Sequence, residues 1–321
     1  MATVLVTGGA GFIGAHVARL LLRRGDRVVV LDNFNDYYDP ALKEARVAQL
    51  LGEFHPTIVR ADLSDAQAVA QLFAEHQFDA VCHLAAQAGV RYSITNPRAY
   101  VQSNVVGTLN VLEQVRTHGK PYLVFASSSS VYGDNAKVPF SEDDPVTHPV
   151  SLYAATKRAT ELLAFAYHRL HGLHCTGVRL FTVYGPWGRP DMAYFSFTRA
   201  LLANEPIQLY NRGQMERDLT YVDDVAAGIV VALDRRLPGC EIINLGNSHP
   251  IPLASMVAAL EAALNVKART ELAPMQPGDV VRTYADVSKA KRLLGWEPRM
   301  AFADGIRQFA AWYRNYYQSS K

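Results

Sequence analysis

The stretch Thr7-Gly8-Gly9-Ala10-Gly11-Phe12-Ile13-Gly14 restricts the possible folds more than any other. It follows directly on the apolar run Val4-Leu5-Val6 and opens an amphipathic stretch from Ala15 to Arg24, so a strand hands over to a helix through a glycine turn. Gly9, Gly11 and Gly14 match the spacing of a dinucleotide-binding turn, and Gly8, Gly11 and Gly14 match a wider variant. With either set, the glycines permit a tight turn and let a pyrophosphate approach backbone N–H groups at the positive end of a helix. Gly8, Gly11, Phe12, Ile13 and Gly14 are therefore expected to line a cofactor.

The next β-branched run, Val28 to Leu31, ends on Asp32, where a carboxylate can accept hydrogen bonds from both hydroxyls of an adenosine ribose. A 2′-phosphate would meet that negative charge, and Asn33-Phe34-Asn35 follows instead of an arginine, so NAD is favoured over NADP. Asn33 and Asn35 belong to the same expected site. Asp62 and Leu63, after a third run at Thr57-Ile58-Val59, fall within reach of the adenine; for Asp62 the alternative is capping of the helix that begins near Asp65.

Short apolar runs keep alternating with helical stretches: a helix from about Asp65 to Glu75, a strand from Ala80 to Leu84, a long helix near Tyr100 to His118, and a strand from Tyr122 to Ala126. This alternation predicts an α/β fold, a parallel sheet covered on both faces, with ligands at the C-terminal strand ends. After a further strand at Cys175 to Leu180, residues 184–197 are rich in Gly, Pro and aromatics and read as a long irregular connection. A helix near Phe197 to Ala203, a strand at Ile207 to Tyr210, a helix at Val222 to Leu233, a strand at Glu241 to Leu245 and two C-terminal helices complete the expectation.

Composition narrows the function classes. The 321 residues are 49% hydrophobic, enough for a large core, and 32 Lys and Arg are scattered among 30 acids for a net charge of +2, which disfavours nucleic acid as a partner. Cys82, Cys175 and Cys240 are too few and too scattered for a disulfide framework or a zinc site, so no metal is expected and a reducing cytoplasm fits. No stretch has the roughly 20 apolar residues a bilayer requires, and Met1 to Val6 lack the features of a secretory signal.

Ser151-Leu152-Tyr153-Ala154-Ala155-Thr156-Lys157 opens a helical stretch in which Tyr153 and Lys157 lie one turn apart on one face. A nearby ammonium stabilises a phenolate, moving tyrosine toward use as a general base. Phe125-Ala126-Ser127-Ser128-Ser129-Ser130-Val131-Tyr132-Gly133 places hydroxyls at a strand end on the cofactor side, where they can orient a sugar hydroxyl.

Taken together, the glycine turn, the serine run before Val-Tyr-Gly and Tyr-x-x-x-Lys resemble an extended short-chain dehydrogenase/reductase over nearly the whole chain. That resemblance implies a Rossmann-like doubly wound parallel sheet over 1–180, with later returns near 216–246, and a smaller C-terminal substrate-binding domain over 181–321. It also implies catalytic roles for Tyr153 and Lys157, with either Ser128 or Ser130 as the orienting hydroxyl. Asn104 would lie near the cofactor or hold the site together, and Leu84-Ala85-Ala86 would line the cofactor.

Four irregular segments narrow the resemblance to UDP-glucuronate 4-epimerases: 32–38, 89–93, 181–192 and 275–280. By that resemblance, Arg217 serves the diphosphate of a UDP-sugar, Arg189 and Thr182 the sugar end together with Ser128, Ser129 and Ser130, Gln208 and Tyr210 the uridine, and Gln276 and Asp279 the ribose or phosphate. The implied reaction is a redox cycle at C4: Tyr153 takes the hydroxyl proton, bound NAD⁺ takes hydride, and the 4-keto sugar turns over to receive it on the other face. A homodimer through the helices near Tyr100 to His118 and Tyr153 to His171 is also implied.

The rival readings are UDP-glucuronate decarboxylation, since the 4-keto uronate is a β-keto acid, and UDP-glucose 4-epimerisation. A 4,6-dehydratase is disfavoured because Ser129-Ser130 stand where such enzymes carry an Asp-Glu pair. Outside enzymes, the alternative is a non-catalytic NAD-sensing protein on the same fold.

Overall fold

The computed structural model describes residues 1–275 and 279–318. The first half runs β1 (Thr3–Thr7), α1 (Phe12–Arg23), β2 (Arg27–Asp32), α2 (Pro40–Arg46), β3 (Thr57–Arg60), α3 (Ala66–Glu75), β4 (Ala80–His83), α4 (Tyr92–Thr95), α5 (Pro97–Tyr100), α6 (Gly107–Thr117), β5 (Tyr122–Ser128) and α7 (Leu152–His171). The second half runs β6 (Cys175–Leu180), β7 (Thr182–Tyr184), α8 (Ala193–Leu202), β8 (Ile207–Leu209), β9 (Glu216–Tyr221), α9 (Val222–Arg235), β10 (Cys240–Leu245), β11 (Pro250–Pro252), α10 (Leu253–Leu264), β12 (Thr270–Leu272), α11 (Ser288–Leu294) and α12 (Phe302–Gln318).

Seven parallel strands form the main sheet in the order β10-β6-β5-β4-β1-β2-β3. Strands β1, β4 and β6 are almost entirely buried, as their unbroken apolar runs require of a sheet covered on both faces. From β1 the chain first adds strands toward β3 and then returns to add β4 on the other side, which leaves a crevice beyond the C-terminal ends of β1 and β4. Over the second half, β7, β9 and β11 make a small sheet, β8 and β12 pair separately, and an aromatic core that includes Tyr184, Tyr194, Phe195, Phe309 and Tyr313 packs α8, α10 and α12. Within 216–246, β9 sits in the small sheet and β10 in the main one.

Beyond the short elements α2, α4, β7, β11 and β12, which no sequence pattern predicts, two regions differ from the expectation. The long helix near Tyr100 to His118 is broken by a π-helical segment at Val101–Val106 between α5 and α6, and it turns Asn104 fully inward. Among the described residues three helices, not two, follow β10; the shortest, α11, spans seven residues and is closed by Gly295 at φ +68°, too short for a periodicity signal. Among the described residues no helix is long and apolar enough to cross a membrane.

Candidate active site

The crevice is a cleft of about 570 Å³, and most of the expected site residues line it. At one end stands the glycine turn. Gly8 adopts φ +69°, and a Cβ there would lie 2.8 Å from the Ala85 backbone; a Cβ on Gly14 would lie 2.1 Å from the Gly8 carbonyl oxygen. Helix α1 starts at Gly11 with no side-chain cap, so its first N–H groups remain available to an anion. Phe12, Ile13, Leu63, Leu84, Ala85 and Ala86 complete the walls.

The carboxylate of Asp32 accepts from the backbone N–H groups of Ala10 (3.2 Å) and Phe34 (2.9 Å), which fixes its rotamer at the mouth of the turn. Buried Lys43, absent from the sequence reading, pairs with Asp32 at 3.3 Å and donates to Asn35 at 3.1 Å. Asp62 accepts from Asn33 (2.7 Å) and from Ser64, whereas α3 is capped by Asp65. Asp62 therefore faces the cleft rather than the helix end.

Ser151 caps α7 by accepting from the Ala154 N–H at 3.1 Å, which sets the helix phase that turns Tyr153 and Lys157 to the cleft. Lys157 donates to the Ala126 carbonyl at 2.9 Å, and burial pulls its ammonium down to about 8, with Glu161 opposing. Burial pushes the Tyr153 phenol up, while a hydrogen bond with Ser128 and the charge of Arg189 hold it down. Arg189, expected only at the sugar end, thus also bears on this phenol.

Ser128 caps a 3₁₀ turn over Ser129–Tyr132, accepting from the Ser130 N–H at 3.2 Å and donating to the Ser130 hydroxyl at 3.2 Å. It is the serine beside Tyr153, and Ser129 and Ser130 line the cleft next to it. Beneath them Ser127 donates to buried Glu161 at 2.6 Å, and Glu161 is held by Arg179 (2.8 and 3.0 Å) and Arg158 (2.7 Å). Neither the network nor its partners were visible in the sequence, since they join β5, α7 and β6.

Toward the second half, Thr182, Arg189, Tyr210, Arg217 and Asp279 line the cleft. Arg189 is engaged by Asp191 through both fork donors, Nε to Oδ1 at 3.0 Å and Nη2 to Oδ2 at 2.7 Å. Arg91 pairs with Asp279 at 3.0 Å and lies over the Tyr210 ring at 4.8 Å, and half-buried Arg217 stands close to both charges. Arg91, Asp191, Tyr37 and Lys43 are cleft residues to which sequence reasoning gave no role, although the first three lie in the quoted irregular segments.

Two expected residues do not line the cleft, Asn104 taking the second of its two expected roles, and a third is not described. Asn104 does not line the cleft: its carbonyl accepts from the Gln87 N–H (2.8 Å), and its amide donates to the Gln87 carbonyl (3.1 Å) and to Thr156 (3.0 Å). It ties the loop after β4 to α7 one residue before Lys157. Gln208 points to solvent and bonds Glu271, because strand alternation turns Ile207 and Leu209 inward and Gln208 out. Gln276 lies outside the described residues.

Comparison with known proteins agrees with this geometry. Residues 4–246 match the model of the NAD dependent epimerase/dehydratase family. UDP-glucuronate 4-epimerase 4 of Arabidopsis thaliana is 49% identical over 99% of this chain and 77% of that protein. The crystal structure of UDP-glucuronic acid 4-epimerase from Bacillus cereus with UDP-glucuronic acid and NAD superposes with a TM-score of 0.92, at 32% identity over 98% of this chain and 100% of that one. A UDP-glucose 4-epimerase from Thermotoga maritima, solved with UDP-glucose, gives a TM-score of 0.90 at 30% identity over 98% and 99% of the two chains. Carrying the glycine turn, the Tyr153/Lys157 helix and the serine run around one cleft, this chain belongs to the NAD dependent epimerase/dehydratase family.

Proposed function

We propose that the protein interconverts UDP-glucuronate and UDP-galacturonate by epimerisation at C4, with NAD as a retained cofactor. The observation that carries this reading is the fork of Arg189 beside the Tyr153 phenol, in the same cleft as the glycine turn: a cation able to hold a carboxylate next to the group that moves the C4 proton. NAD fits because the turn admits no Cβ, the first N–H groups of α1 have no side-chain partner and Asp32 is fixed to accept from a ribose. When bound, NAD⁺ supplies the reversible oxidation at C4, accepting hydride and returning it to the other face.

The chain's own residues do the rest. Tyr153 takes the proton of the C4 hydroxyl, which Ser128 orients, and its phenolate is stabilised by Arg189. Lys157, anchored on the Ala126 carbonyl, keeps donors for the nicotinamide ribose. Arg217 serves the diphosphate, and Tyr210 and Asp279 the uridine side. A 4-keto uronate loses carbon dioxide when the C5–C6 bond stands perpendicular to the carbonyl plane. Arg189, Thr182 and the hydroxyls of Ser128 to Ser130 suppress this by fixing the carboxylate. Asn104 and Glu161 act at one remove, holding the loop after β4 and the end of β5.

Proton NMR of the purified protein with UDP-glucuronate and no added cofactor tests the reading. UDP-galacturonate is the expected product. A UDP-pentose would move the assignment to decarboxylation, turnover of UDP-glucose alone to the neutral epimerases, and silence after addition of NAD⁺ to a non-catalytic binder.

A homodimer is part of the proposal: Leu109 on α6 and Leu162, Phe165 and Leu170 on α7 are exposed apolar residues, with Leu170 75% accessible. Sedimentation of the wild type as a dimer and of Leu162→Asp/Phe165→Asp as a monomer is expected. A cytoplasmic setting is supported by the three free cysteines.

A further inference from the structure

The ion pair that occupies Arg189 gives Asp191 a part in the reaction. Epimerisation requires the 4-keto sugar to turn over within the cleft, and the carboxylate on C5 travels with the ring. A clamp that holds this carboxylate firmly enough to block decarboxylation would also resist the turn. Releasing it would leave an arginine beside Tyr153 without a counter-charge, in surroundings where an unpaired cation is costly. Asp191 has the geometry to remove that conflict, since it presents to Arg189 the same bidentate acceptor as the substrate, at 3.0 and 2.7 Å.

The pair is reachable: the two side chains are 23% and 30% exposed, and both line the cleft. Asp191 is also held from behind. The Tyr37 hydroxyl donates to Oδ2 at 3.2 Å, and Gly89, at φ +96°, brings its loop so close that a Cβ would lie 2.3 Å from that hydroxyl and 3.6 Å from Oδ2. The carboxylate thus keeps its place when Arg189 leaves it; while the two are paired, burial opposes its charge but Arg189, helped by the Tyr37 hydrogen bond, holds it below the usual carboxylate range.

We propose that Asp191 is a counter-carboxylate that exchanges with the substrate's carboxylate on Arg189, taking the guanidinium whenever the uronate lets go so that the sugar can turn over. A neutral hexose has no group to exchange, so Asp191 keeps Arg189 and the pair stays closed. The inference rests on the reading of Arg189 as the uronate clamp, and the test separates the two.

Titration calorimetry of the holoenzyme with each UDP-sugar, and NMR of the products, are made on Asp191→Asn, Asp191→Glu and Arg189→Ala. With its charged competitor removed, Asp191→Asn is expected to bind UDP-glucuronate about tenfold tighter and UDP-glucose within roughly twofold of wild type. Its epimerisation of UDP-glucuronate slows because the sugar turns over less readily, and the share of UDP-pentose stays at or below that of wild type. Asp191→Glu, which restores the charge, returns the affinity ratio and the epimerisation rate toward wild type, and Asp191→Ser takes the place of the asparagine variant if that protein does not fold. Asp191→Asn shifting both sugars equally, or Asp191→Glu failing to restore the ratio, overturns the exchange. Arg189→Ala with its preference for UDP-glucuronate intact overturns the clamp and the exchange with it, whereas loss of that preference beside a wild-type Asp191→Asn overturns the exchange alone.

Discussion

Replacing Gly14 by alanine sets two structural effects against each other. Gly14 lies in the first turn of α1, where alanine is the better helix former by about 1 kcal/mol. Against this, the new Cβ would sit 2.1 Å from the Gly8 carbonyl oxygen and 2.9 Å from the Gly9 Cα, where ordinary contacts stand near 3.5 Å, so turn and helix must part by about 1 Å. Neither neighbour is the free end of a side chain. Gly8 donates to the Leu31 carbonyl at 2.7 Å, and its own carbonyl accepts from Gly11 at 2.9 Å. Overpacking of this kind costs about 1–3 kcal/mol, which exceeds the helix gain. The melting temperature is expected to fall by a few degrees, at about 2–4 °C per kcal/mol. Retention of NAD should fall far more, by at least about tenfold, because the displaced N–H groups are the ones a pyrophosphate uses. Gly25→Ala is the control: at φ +92° with nothing within 4 Å it is strained by about 1 kcal/mol, yet it lies away from the cleft. It should lower the melting temperature and leave NAD retention alone. Thermal melts and cofactor titrations on both variants decide the matter, and a Gly14→Ala protein that holds NAD like wild type would refute the reasoning.

Tyr153→Phe removes the proton acceptor and should lower turnover about 10³-fold with UDP-sugar and NAD binding intact; activity within tenfold of wild type would place the base elsewhere. Glu161→Ala leaves Arg179 buried without its carboxylate and should cost about 3–5 kcal/mol in urea denaturation, and a loss below ~1 kcal/mol would contradict the network described for it. Burial lowers His16 and His83 to about 3, so the unfolded chain takes up their protons first as pH falls below 6.5. Their contribution is constant above that pH and declines from 6.5 toward 3, by about 4 kcal/mol for the pair at pH 5. A His16→Gln/His83→Gln variant should show a shallower loss of urea stability between pH 7 and pH 5 than wild type, and an equal loss would exclude the histidines as its source.

The features legible in the sequence are those with a short-range pattern. The glycine turn is one run of text, Tyr153 and Lys157 share a helix face by spacing alone, and Asp32 ends a strand whose apolar run is unmistakable. What escaped depends on chain paths that the local pattern does not encode. Lys43 meets Asp32 only because α2 folds back over the turn, and Asp191 meets Tyr37 across most of the first half of the chain. Gln208 was assigned to the cleft by resemblance, but two-residue alternation between buried Ile207 and Leu209 turns it out. The break at Val101–Val106 lacks any glycine or proline that would announce it, and it is this π segment that delivers Asn104 to the Gln87 backbone.

The position of β10 has a consequence for how the chain can be made. Strand β6 pairs with β5 on one side and with β10 on the other, residue for residue from Cys175–Cys240 to Leu180–Leu245. During synthesis β6 therefore emerges with an open flank of unpaired backbone groups, lined by wholly buried residues, until Leu245 has left the ribosome and the second half has threaded back to cover it. Cutting the gene after Leu180 would not liberate a freestanding cofactor-binding unit but would make that flank permanent, a template for edge-to-edge aggregation. Fusion partners and fragment-complementation splits are better placed in a surface turn beyond β10, such as 265–268, which keeps β10 on the same piece as β6, or at the chain ends.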